Sequence, residues 1–163
     1  MSGQERKFEI VISGYYSCSM EEWLRARRAP ESELPQLTKG QKEFALKFRL
    51  PEQEYARHLL ANRYSRDRIV RGAQELGLAI ERLLANGGNG CRLLAIKADL
   101  SEGPQEVWLQ TKQGIEQIPV PADLAAPIFR RGHLEDAEKA KVESMFHLAG
   151  IWKERGRADG SEG

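Results

Sequence analysis

The sequence predicts an α+β domain, with a block of helices packed around a small antiparallel sheet. Three observations predict it. Residues 38–85 carry apolar side chains at helical spacing with little interruption. Four short segments, 7–13, 91–100, 106–112 and 115–120, carry the alternating or continuous apolar runs of strands. The last three of these follow one another through turns short enough to require antiparallel neighbours.

In chain order, Phe8, Ile10 and Ile12 alternate with Glu9, Val11 and Ser13, and Gly14 ends this first strand. Ser19 with Glu22 has the spacing of a capping box, in which each side chain satisfies an exposed amide of the other residue. It opens a helix over 20–29 that Pro30 closes. Thr38 with Gln41 repeats the signature and opens a helix over 38–49. Pro51, followed by Glu52 and Glu54, suits the first turn of another helix over 51–62, where the acids face the positive end of its dipole.

Ile69, Ala73, Leu76, Ile80 and Leu83 alternate in steps of four and three, so a further helix over 65–85 turns one stripe to the core. Gly72 and Gly77 lie beside that stripe, each costing about 1 kcal/mol of helix propensity relative to alanine, and close approach of another element accounts for both. Residues 91–100 are apolar on both faces, as in a central strand covered on two sides. Two more strands complete a meander, a short helical stretch with Leu124, Ile128 and Phe129 ends at Gly132, and a C-terminal helix spans 133–153. The expected organisation is one domain over 1–154 and a mobile tail over 155–163.

With 25 Lys and Arg against 24 Asp and Glu the net charge is +1, so no global field draws the chain to nucleic acid or an anionic membrane. The charge is local. Between Lys39 and Arg71 nine bases face four acids. Arg63-Tyr64-Ser65-Arg66-Asp67-Arg68, with Arg57 and Arg71 nearby, is the candidate binding surface, because arginine and tyrosine together grip phosphates, stack on bases and anchor protein interfaces. Its residues are Arg57, Arg63, Tyr64, Arg66, Arg68 and Arg71.

Other motifs carry less. Cys18 and Cys91 stand without neighbouring ligands, and small buried hydrophobes are expected there. Glu143 and His147, one turn apart, lack the further ligands a metal requires. Glu135, Asp136 and Glu138 complement the dipole of the last helix. Gly87 to Gly90 runs from helix to strand, the reverse of a phosphate loop. No cofactor, metal or catalytic residue is expected. No apolar run has the roughly 20 residues a membrane span needs, and no apolar leader precedes the first strand, so a cytoplasmic setting is expected.

Residues 41–59, Gln-Lys-Glu-Phe-Ala-Leu-Lys-Phe-Arg-Leu-Pro-Glu-Gln-Glu-Tyr-Ala-Arg-His-Leu, resemble the helix-turn-helix of bacterial and phage repressor-type regulators. On that resemblance Ala45 lets two helices approach, while Phe44, Phe48, Leu50 and Tyr55 fill the wedge between them. Arg49 stands where that family's turn usually has glycine, His58 where it has an apolar residue, and Glu52 and Glu54 where its second helix meets bases. The function expected from the sequence is therefore a non-enzymatic interaction module that docks on a protein partner through its helical block, within a bacterial multi-protein assembly. The alternative is a small nucleic-acid-binding or regulatory protein that uses the basic arc from Lys39 to Arg71.

Overall fold

A computed structural model describes residues 7–14, 18–87, 90–100 and 105–148. Its elements are β1 (Glu9–Ser13), α1 (Met20–Arg28), a 3-10 turn (Glu31–Glu33), α2 (Lys39–Lys47), α3 (Glu52–Gly87), β2 (Arg92–Asp99), β3 (Gln105–Thr111), β4 (Gly114–Val120), α4 (Ala122–Arg131) and α5 (Asp136–Leu148). This is the α+β class the sequence predicts. The chain divides into two compact units, one of residues 16–67 and one of residues 1–15 with 68–163.

In the first unit both capping boxes are present. Ser19 Oγ accepts from the Glu22 amide at 3.1 Å and Glu22 Oε1 from the Ser19 amide at 3.0 Å. Thr38 and Gln41 exchange the same pair at 3.1 and 2.9 Å. A small apolar cluster of Ala26, Ala29, Leu60 and Ala61, flanked by Cys18, Trp23, Leu34 and Tyr64, holds α1 to α3.

The helices expected over 51–62 and 65–85 are one continuous helix, α3. Nothing between Asn62 and Ser65 breaks a helix, and Ser65 does not start one. It is buried, and its hydroxyl lies 3.1 Å from the Ala61 carbonyl and 2.8 Å from Glu22 Oε1, a satisfied mid-helix serine.

The turn from α2 to α3 is a complete Schellman motif. The Arg49 amide donates to Leu46 O at 3.1 Å and the Leu50 amide to Ala45 O at 2.8 Å, with Arg49 at φ 57°. A side chain in that left-handed conformation costs about 1–2 kcal/mol, which glycine avoids while giving some back as unfolded-chain entropy. Arg49→Gly should therefore raise the unfolding free energy by about 1 kcal/mol, read as a higher denaturant midpoint at unchanged slope.

The second unit is built on a four-stranded sheet of order β1-β2-β3-β4. The meander β2-β3-β4 is antiparallel as expected, but β1 pairs with β2 in parallel, from Glu9↔Ala95 to Ser13↔Asp99. The long connection returns the chain to the N-terminal end of β1, so the two strands run the same way. A register shift between Leu93 and Ala95 puts Leu93 on the face of Ile96 and Ala98. All three are buried while Leu94 and Ala95 are only half-buried, so β2 is fully covered on one side and not on two.

Val107, Leu109 and Val120 of the sheet are buried as well, as is the stripe Ile69, Ala73, Leu76, Ile80 and Leu84 of α3. Gly77 allows the closest contact, since a Cβ there would fall 2.2 Å from the Phe8 ring and 3.0 Å from Ile96 Cδ1. α4 ends at Gly132, left-handed at φ 82°. The C-terminal helix starts at Asp136 rather than His133, because the Glu138 carboxylate accepts from the Glu135 amide and fixes the first turn there. Val142, Met145 and Phe146 are buried on it. Its expected continuation to residue 153 and the expected tail over 155–163 lie outside the described residues.

Candidate functional site

The six residues singled out in the sequence divide into those the fold uses and those it leaves to solvent. Arg57 belongs to the fold. Its Nη1 donates to the carbonyls of Ala26 at 2.9 Å, Arg27 at 3.1 Å and Ala29 at 2.9 Å, where α1 ends with unsatisfied acceptors. Tyr64 is half-buried against the apolar cluster, with the Arg25 guanidinium carbon 3.8 Å above its ring. In the other unit, Arg68 donates to Arg130 O at 2.8 Å and Arg71 Nε to Gly132 O at 3.1 Å, closing the end of α4 in the same manner. Three of the five arginines are thus helix stoppers.

Arg63 and Arg66 are exposed, and neither forms a hydrogen bond or ion pair with another described residue. At about 100° per residue, Tyr55, Leu59, Arg63 and Arg66 fall within about 80° of one another around α3, on a single stripe. Phe44 reaches that stripe from α2, its ring centroid 5.5 Å from Tyr55 and 4.7 Å from Phe48. Lys47 Nζ lies 5.7 Å from the centre of the Phe48 ring.

Phe44 and Phe48 do not fill a buried wedge. Phe44 is 46% exposed, Phe48 56% and Leu46 80%, and among the residues of α2 only Ala45 is buried. The sequence holds the reason. Leu46 lies about 200° around the helix from Phe44, so one contact face cannot cover both, while Phe44 and Phe48, about a turn apart, share a side that Ala45 does not bring to the core. Phe48→Ala should then cost about 1 kcal/mol or less in a denaturant melt, against the 3–5 kcal/mol of a fully buried phenylalanine.

Trp23 and Arg27 sit together on α1, with Trp23 also 4.6 Å from His58, while Tyr15 and Tyr16 lie outside the described residues. Cys18 and Cys91 are half-buried rather than buried. Burial raises the Cys91 thiol above its ordinary value, Glu116 adds to the shift and Lys112 opposes it. The unfolded chain then loses that proton first. Stability should fall as pH rises through 9.0, and alkylation of Cys91 at neutral pH should be slower in the folded than in the unfolded chain.

Among the described residues no three His, Cys, Asp or Glu side chains are placed to hold a metal ion. Glu143 lies on α5, but the side chain of His147 is outside those described. No helix of the described residues is long and apolar enough to cross a membrane. No protein-family model matches the chain, and neither a curated protein nor a solved structure shows significant similarity to it.

Proposed function

We propose that the chain is a non-enzymatic, cytoplasmic interaction module that docks on a protein partner through the helical block. The observation that carries this reading is the aromatic ledge of Phe44, stacked on Tyr55, and Phe48, tilted against Phe44, both open to solvent. Single exposed apolar residues are ordinary on protein surfaces, but adjoining aromatic rings beside cations have the composition of binding hot spots. The use of Arg57, Arg68 and Arg71 inside the fold weighs against the alternative, a nucleic-acid interface along the basic arc, since it takes three of the nine bases of that arc away from phosphates.

The test is a photo-crosslinking amino acid placed at Phe48 and, as a control, at Glu33, which is exposed on the 3-10 turn. In cells that express the chain, a discrete protein adduct at position 48 and not at 33 is the expected result. Adducts to nucleic acid alone, or none above the control, would overturn the reading.

A further inference from the structure

We infer that the docking surface takes an acidic amphipathic segment of another protein, whose apolar side chains seat on the ledge while its carboxylates pair with Arg63 and Arg66. This rests on the docking function above and names the chemistry of the partner. Two observations made independently meet here. The ledge is apolar and exposed, with Phe44 stacked on Tyr55 of α3. The two arginines of the candidate set that the fold does not use lie on the same stripe as Tyr55 and Leu59.

Along α3 at about 1.5 Å per residue, Arg63 is about 12 Å and Arg66 about 16 Å beyond Tyr55. A partner helix of three turns spans that distance. It would set a large apolar residue at one end and Asp or Glu two to three turns further on, the periodicity by which helices read apolar grooves.

Charge selects the sign of the partner. Lys47 and Arg49 adjoin Phe48 in sequence and Glu43 adjoins Phe44, while α3 carries Arg63 and Arg66 with Glu52 on the same stripe and Asp67 at its flank, four bases to three acids, all exposed. A carboxylate-bearing segment pairs with the two arginines bidentately, and the aliphatic and aromatic ledge offers it the desolvated centre that a hot spot needs. A nucleic-acid strand would meet the exposed Glu52 carboxylate on the same stripe of α3, which repels phosphate.

A display library of random 16-residue peptides, selected on the full chain, tests the assignment without knowledge of the natural partner. The selected peptides should be net negative and carry Phe, Leu or Trp on one helical face. In fluorescence anisotropy, the best of them should bind at least tenfold more weakly to Phe48→Ala and to the Arg63→Glu/Arg66→Glu double variant, with unfolding midpoints of both kept near the parent's. Neutral or basic peptides that Phe48→Ala releases would overturn the acidic assignment and leave docking at the ledge standing. Failure to select any peptide, or peptides that Phe48→Ala does not release, would overturn both. A labelled single-stranded oligonucleotide that binds more tightly than any peptide and is released by the double variant would overturn the proposal in favour of nucleic acid.

Discussion

Gly72→Ala should remove about 2 kcal/mol of stability, because the added methyl meets backbone. The new Cβ would fall 2.6 Å from the carbonyl oxygen of Ile128, 3.2 Å from its carbon and 3.4 Å from the Cα of Gly132. These are backbone atoms at the end of α4, so no side chain can swing aside. Either α4 retreats and opens the buried contacts of Ile128 and Phe129, or the clash stays, and overpacking of this kind costs about 1–3 kcal/mol or more. Alanine returns about 1 kcal/mol in helix propensity, which is too little to offset it. Gly40 supplies the control, since a Cβ there meets nothing within 4 Å. Gly40→Ala should stabilise by up to about 1 kcal/mol. Two urea melts of opposite sign would establish that the glycine in α3 is a contact point between helices, and equal shifts would refute it.

Glu138→Ala should cost about 2–4 kcal/mol, the second large effect. The Glu138 side chain is nearly buried, is paired with the Arg131 guanidinium through both oxygens, and accepts from the Glu135 amide at 2.9 Å. Removal leaves that amide without its acceptor and takes the nearer counter-charge from a largely covered arginine, whose remaining carboxylate partner is the more exposed Glu135 at 2.9 Å. Glu138→Gln, which keeps one acceptor, should cost less. A double-mutant cycle with Arg131→Ala should return a coupling well above about 0.5 kcal/mol, and additivity would show that the pair contributes nothing jointly.

Local chemistry made most elements legible. The two capping boxes, the turn at Gly132 and the reason for Gly72 and Gly77 could all be read from residue spacing, because each depends on atoms a few positions apart or on the cost of a missing Cβ. Pairing across the chain could not. β1 gives no sign of its parallel neighbour, since strand direction depends on what the intervening helices do. The break expected near Arg63 was a misreading of Ser65, whose hydroxyl serves a helix start and a helix interior equally well until its partner is known. At the candidate site the arginine-rich run was visible and its division of labour was not. Arg57, Arg68 and Arg71 look like Arg63 and Arg66 in a sequence, and only the position of a neighbouring helix end separates them.

That division also makes ionic strength an instrument. Arg57, Arg68 and Arg71 donate to neutral carbonyl oxygens, whose attraction for a cation is short-ranged and little altered by mobile ions. Arg63 and Arg66 are exposed, and the long-range pull of such charges is screened beyond the Debye length, about 8 Å at about 0.15 M. Raising the electrolyte concentration should therefore weaken the proposed pairing at the exposed arginines while the helix ends stay closed, so that the two can be titrated apart in one sample with no residue changed.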